Sequence, residues 1–175
     1  MPAMGDPRFA RSVVYICAHN AEGALGLIIN RKMKSPSFSE ILEQLEIANV
    51  AGIQHKIKDV YFGGPVETRR GFILHSTEYS SADTLVVDNE IGMTASFEII
   101  KALAAGTGPS NSLVALGYAG WGAGQLDNEI RENAWLSADP DLDLIFNESV
   151  EIKWDKALEK VGVSAALLST ESGQA

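Results

Sequence analysis

Cys17 and His19 stand two residues apart at the end of the apolar run Ser12–Cys17, SVVYIC. On a continuing strand that spacing points both side chains to one face. There an imidazolium lowers a thiol pKa and makes the thiolate nucleophilic or oxidisable. The competing reading is a small buried hydrophobe beside a loop histidine, and it is the preferred one, because neither an orienting acid nor an oxyanion hole can be identified. A second candidate is Leu116–Leu126, LGYAGWGAGQL, read as a strand that turns into a helix through Gly117, Gly120, Gly122 and Gly124. Free N–H groups at a helix start attract phosphate. The details fit poorly: the third glycine of a dinucleotide fingerprint is Gln125 or Asp127, depending on the starting glycine, and no lysine follows. Asp127, Glu129 and Glu132 add negative charge where a phosphate would sit. A structural turn or a neutral-ligand pocket is the better reading, with Trp121 as floor and Gln125 and Asn133 as polar contacts.

Gly63-Gly64-Pro65 forms another glycine-rich turn, followed by Glu67, Arg69 and Arg70, charges that suit a solvated loop or a partner contact. His55, His75 and Cys17 are too dispersed for a metal site, which shows paired ligand spacing. No G-x-S-x-G elbow is present. The sequence therefore assigns no metal, no cofactor and no catalytic group beyond the thiol candidates Cys17 and His19.

Twenty-three acidic against 14 basic side chains leave a net charge of −9, which argues against direct contact with nucleic acid. The basic groupings Arg31–Lys34, Lys56–Lys58 and Arg69-Arg70 are short. One cysteine excludes an internal disulfide framework and fits a reducing cytoplasm. The chain shows no apolar run of the length a membrane span needs and no signal-peptide order at its start, so a cytoplasmic protein with no membrane association is expected.

At 175 residues the chain is read as one domain, residues 1–175, with an extended arm over about 1–11 and a frayed tail over about 169–175. Strand character covers Ser12–Cys17, Ala24–Asn30, Asp59–Phe62, Gly71–His75, Thr84–Val87, Ile91–Met93, Ser112–Ala119 and Asn133–Ser137. Ala18–Gly23 reads as a hairpin loop, and Asn49–Gln54 as a surface loop. Ser37 with Glu40 is the signature of a capping box ahead of Ile41, Leu42 and Leu45. Thr94 is placed as the cap of a helix burying Phe97, Ile100, Leu103 and Ala104, which Gly106 ends. A further helix covers about Gln125–Glu132. Asp139-Pro140 caps a short one with Leu142, Ile145 and Phe146, and Trp154, Ala157, Leu158 and Val161 mark a last amphipathic helix. Hairpins alternating with single helices point to an α+β fold.

Taken together, MPAMGDPRF, SVVYIC, CAHN, GALGLIINR, YFGGPVETRRGFILH, LGYAGWGAGQL and ENAW stand in one order over most of residues 1–160 and resemble the AlgH/YqgE family of small bacterial proteins. The resemblance implies a barrel-like, bifurcated β-sheet surrounded by helices. It implies little about function: the family is largely uncharacterised, and some members are labelled transcriptional regulators of exopolysaccharide synthesis. The chain departs from the family pattern at Ala18, commonly acidic, and at Lys32, commonly proline. The departure at Ala18 removes a carboxylate that a thiol mechanism would place beside His19.

The leading expectation is a non-enzymatic cytoplasmic binding or regulatory protein with an unknown small-molecule or protein partner. Its site is expected near Gly63, Gly64, Pro65, Gly120, Trp121, Gly122, Gln125 and Asn133. A thiol-dependent enzyme or redox sensor using Cys17 and His19, and a directly DNA-binding regulator, are the alternatives.

Overall fold

The computed structural model describes residues 6–48, 57 and 59–163. Seven strands lie among them: β1 (Val14–Asn20), β2 (Gly23–Ile28), β3 (Val60–Phe62), β4 (Val66–Ser76), β5 (Thr84–Val86), β6 (Ile91–Thr94) and β7 (Ser112–Gly122). The α-helices are α1 (Phe38–Gln44), α2 (Phe97–Ala105), α3 (Gln125–Arg131) and α4 (Val150–Val161). The strands pair in the order β1-β2-β7-β4-β6-β5, with β3 beside β7.

β7 organises the sheet. One flank pairs antiparallel with β4, while the other is divided between parallel β3 at Val114–Leu116 and antiparallel β2 at Ala119–Gly122. This fork is the expected bifurcation. It brings three backbones together, and only glycine fits where they cross. A Cβ on Gly64 would lie 2.1 Å from the Tyr118 carbonyl carbon, and one on Gly117, at φ +74°, would lie 2.4 Å from the Gly64 oxygen. The sheet then curls into a half-barrel. Tyr15 of β1, at one border, donates its hydroxyl to Asp88 Oδ2 at 2.9 Å, in the turn that follows β5 at the other.

Alternation along the strands sorts side chains to two faces. Phe72 and Leu74 join Tyr15, Cys17, Leu27 and Met93 inside the half-barrel, whereas Ile73 packs outside with Phe38 and Leu42 of α1 and Ile99 and Leu103 of α2. A third cluster joins Ala119, Trp121 and Leu126 to Phe9 and Trp135.

The capping box forms in full: Glu40 N–H donates to Ser37 Oγ at 3.3 Å, and Ser37 N–H to Glu40 Oε2 at 2.6 Å. Other expectations are corrected. β1 runs on to Asn20, so the hairpin turn is only Ala21-Glu22 and not Ala18–Gly23. β4 begins five residues before Gly71, because Glu67–Arg70 form a long bulge opposite Gly117 and their polarity hides the strand. Thr94 is the buried last residue of β6, bonded to His75 Nε2 at 2.8 Å and Thr84 Oγ1 at 2.7 Å; Ser96 takes the cap position of α2. Phe97 is exposed beneath Lys101, and Ile99 takes its expected buried place. β7 continues through Gly120–Gly122, and the turn into α3 is Ala123-Gly124.

Asn133–Ser137 is not a strand. Asn133 is left-handed (φ +58°), with Ala134 N–H on Glu129 O at 2.9 Å and its own N–H on Ile130 O at 3.0 Å, which closes α3 and sends the chain back. Asp141, not Asp139, caps the wide turn Asp143–Asn147 through Leu144 N–H at 3.1 Å. The N-terminal arm is a 3-10 turn over Pro7–Phe9, held by the Arg31 guanidinium on the carbonyls of Arg8 and Ala10. The expected loop Asn49–Gln54 and the tail from Ser169 lie outside the described residues.

Candidate functional site

The thiol–imidazole pair is not assembled. Ile16 pairs with Gly26 and Ala18 with Leu25, so Cys17 is an extra residue in β1, and the bulge breaks the alternation assumed for it. Cys17 joins the interior cluster, its Sγ 3.6 Å from Tyr15 O, and burial pushes the thiol up to about 12. His19 lies opposite Ala24 on the Trp121 side of the sheet, with Nε2 3.2 Å from Asp127 Oδ2. A thiol of this kind is inert in the folded protein.

The residues expected near a binding site fall in two stretches that meet on β7, where Gly64 packs against Tyr118 and Ala119 beside Gly120. Gly63 and Gly64 pack on β7 at Gly117–Ala119, with Gly63 N–H donating to Leu116 O at 2.9 Å. Pro65 opens onto a shallow notch with Glu67 and Arg70. Gly120 and Gly122 belong to the strand pairing with β2, and the polar atoms of Trp121 and Gln125 are engaged within the protein. Glu129 Oε2 accepts Trp121 Nε1–H at 2.9 Å and Trp135 Nε1–H at 2.7 Å, and its Oε1 accepts Gln125 Nε2–H at 2.8 Å. Gln125 Oε1 in turn accepts Gly122 N–H at 3.0 Å. Burial alone would raise the Glu129 pKa; the bonds from Trp135, Gln125 and Trp121 outweigh it and hold the carboxyl below its ordinary range. The rings of Phe9, Trp121 and Trp135 have centroids 5.7–6.5 Å apart and touch one another, so no cation fits between them.

Some of the basic groups are also engaged. Lys32 pairs with Asp59 at 2.8 Å, and Arg70 pairs with Glu67 at 3.0 Å. Lys56 and Lys58 lie outside the described residues, as does His55. Among the described residues no group of three His, Cys, Asp or Glu side chains converges as a metal site, and no helix is long and apolar enough to cross a membrane.

What the structure adds is a groove. β1 ends the order of paired strands, and the left-handed turn at Asn133 lays Trp135–Asp141 over it. Two cavities result, of ≈ 130 Å³ toward Trp154, Leu158 and Val161 of α4, and ≈ 370 Å³ toward Trp121, Leu126 and Ile130. Both are lined by Val14, Tyr15, Trp135, Leu136, Ala138 and Pro140. Sequence reading reached Trp121 and the ENAW segment but missed the groove, because the coil that roofs it carries a strand-like pattern. A further cavity by Ser110 and Asn111 has its charged group engaged. Glu78 accepts from the Ser110 and Ser76 hydroxyls and from Ser110 N–H, and the Ser110 hydroxyl first, then its N–H, hold its carboxyl at about 2.

The chain resembles known proteins over its whole length. A model of the AlgH-like family matches residues 1–166. A UPF0301 protein of Rhodopseudomonas palustris (strain HaA2) is 50% identical over 182 residues, covering 100% of this chain and 83% of that protein. A UPF0301 protein of Rhodospirillum rubrum is 46% identical over 175 residues, covering 100% of this chain and 90% of the relative. The solution structure of the AlgH protein from Pseudomonas aeruginosa is similar at TM-score 0.80 and 44% identity, covering 100% of this chain and 92% of that one. A crystal structure of a Corynebacterium diphtheriae protein, 21% identical with TM-score 0.67 over 90% of this chain and 81% of its own, shares the fold.

Proposed function

We propose, from the premise that this chain belongs to the AlgH-like family, that it is a non-enzymatic cytoplasmic binding protein whose ligand enters the groove beside β1. Any part it has in regulating transcription then runs through a bound molecule and not through contact with DNA. The observation that carries this reading is the pair of adjoining cavities under Trp135–Asp141, apolar in their walls and with few polar groups, as ligand sites are. Among the described residues Cys17, His75 and Lys153 favour no competing chemistry, being buried and bonded to backbone or hydroxyl oxygens. The acidic surface and the internal pairing of Arg31 and Lys32 support the absence of a duplex-binding face.

The test is an amide and indole NMR titration of the labelled full chain with a set of small neutral molecules and, separately, with duplex DNA. The reading predicts saturable shifts confined to the cavity linings, at Ser12–Ile16, Trp135–Asp141, the Trp154 indole and, for the larger cavity, Trp121, Leu126 and Ile130, and none from DNA at physiological salt. Shifts centred on Arg69-Arg70, or produced by DNA, would overturn it.

A further inference from the structure

We propose that the N-terminal arm, Asp6–Arg11, is a lid on the groove that swings out about Arg11 to let a ligand in. The lid rests on the reading of the groove as the binding site and adds the control of entry to it. Four observations lead there.

The first is coverage. The chain holds three tryptophans, and the arm packs on every one of them. The Phe9 ring meets Trp121 and Trp135 at centroid distances of 6.5 and 5.7 Å, and the Arg11 guanidinium lies 4.3 Å from the centre of the Trp154 ring. Trp135 lines both cavities, Trp121 the larger one and Trp154 the smaller.

The second is attachment. Among the described residues the arm pairs with no strand, and none of its side chains is fully buried. A few side-chain bonds hold it: the Arg31 guanidinium donates to the carbonyls of Arg8 and Ala10, and Asn30 Nδ2 donates to Arg11 O at 2.9 Å. A segment with so little buried surface opens far more readily than the sheet unfolds.

The third is strain at the joint. Arg11 is held at φ +53°, a left-handed conformation that a residue with its side chain adopts only at a cost. The fourth is a polar atom sealed in beside it. Ser12 N–H closes a turn on Phe9 O at 3.0 Å, and Ser12 Oγ is buried without a hydrogen-bond partner among the described residues. A hydroxyl in that state bears its whole desolvation penalty. Opening the turn lets the Arg11 backbone relax and the Ser12 hydroxyl reach water, so both costs disappear as the arm lifts. A strained joint opposed by a few clamps gives a segment two positions.

The experiment reads amide hydrogen exchange by NMR, and quenching of tryptophan emission by acrylamide as a small neutral probe, in the full chain and in its Ser12→Ala and Arg31→Met variants. In the native chain the Phe9 and Ser12 amides should be protected about a hundredfold less than those of the β4–β7 pairing, and sub-denaturing urea should leave their exchange unchanged. Ser12→Ala removes the sealed hydroxyl, so it should raise protection of the arm about tenfold and reduce quenching. Arg31→Met removes two clamps and should do the reverse by a similar factor. Arm amides that respond to urea as the β4–β7 amides do would show that the arm leaves only when the chain unfolds, and the lid is then refuted. It is refuted equally if Ser12→Ala fails to raise protection, if Arg31→Met fails to lower it, or if quenching does not follow exchange across the three proteins. Neither readout uses a ligand of the groove, so the lid can fail while saturable NMR shifts keep the groove as the binding site. If no neutral molecule shifts either cavity lining, the control of entry falls with the groove, whatever the arm does.

Discussion

Replacing Lys153 with methionine should change the pH dependence of stability more than stability itself. Lys153 lies on the inner face of α4, 1% exposed, with Nζ donating to the carbonyl of Ile145 and lying 5.7 Å from the Tyr61 ring centroid. Burial pushes its pKa from the ordinary 10.5 down to about 8; Glu148 opposes that fall and Lys32 adds to it. The gap corresponds to about 3 kcal/mol between the charged and neutral forms. Below pH 8 the full cost of the buried charge is present. Between about 8 and 10.5 the unfolded chain holds a proton that the folded chain has released, so this group's contribution rises with pH. Cys17 and Tyr15 act in the opposite sense. Burial holds them protonated, so the unfolded chain releases those protons first, and their contribution is lost as pH climbs past about 9 and 10. Lys153→Met leaves those two in place, so the difference between variant and native chain isolates the lysine. The variant also strips Ile145 O of its donor, a pH-independent loss of about 1–3 kcal/mol. The two terms nearly cancel at pH 7, and the variant should fall behind by about 3 kcal/mol between pH 7 and 10.5. Urea unfolding followed by tryptophan emission at several pH values measures this. Parallel curves for the two proteins would refute the reasoning.

Glu129→Ala strands two indole N–H groups and the Gln125 amide, and should cost about 2–4 kcal/mol with a red shift of tryptophan emission in the folded baseline. Because Glu129 is held below its ordinary value, native stability from this group is present above about pH 4.5 and lost as pH falls through the lowered folded value, which an acid titration of native and variant would show. Gly64→Ala forces a Cβ into the β7 backbone and should cost about 3 kcal/mol or more, whereas Gly124→Ala, with no atom within 4 Å of the added carbon, should cost about 1 kcal/mol for its left-handed φ of +68° alone; urea midpoints compare them. Ser37→Ala removes half of the capping box and should cost about 1 kcal/mol by the same measurement. Cys17 in the folded chain should react with a thiol reagent at pH 8 about a thousandfold more slowly than in urea, since its thiolate fraction falls with its raised pKa.

Local signals survived the passage from sequence to structure where one residue and its neighbours decide the outcome. Ser37 and Glu40 specify their cap, Gly106 ends α2, and the apolar runs at 60–62, 84–86 and 91–93 lie in strands. The family motifs carried the rest of the architecture, including the forked sheet. What stayed hidden depends on long-range pairing. Glu67–Arg70 look like a loop because their partner at the bulge is a single residue, Gly117, some fifty positions away. Cys17 and His19 look like neighbours because a bulge leaves no mark in composition. The glycines at 117, 120 and 122 look like a turn, yet they are spaced for backbones that cross and for a continuing strand. Trp121 and Gln125 look available for a ligand, but Glu129 engages their polar atoms, whereas Asn133 is exposed and closes α3 through its backbone alone. The groove itself requires knowing that β1 ends the order of paired strands, and that is a property of the topology alone.

The measurement that bears most directly on the smaller cavity of the groove as a ligand site is native mass spectrometry of the chain recovered gently from the cells that make it, beside its Ala157→Leu variant, which places hydrocarbon into that cavity from α4. A small stoichiometric adduct on the native chain, released on denaturation and missing from the folded variant, is the predicted result. A bare native chain, or an adduct retained equally by the variant, would contradict it.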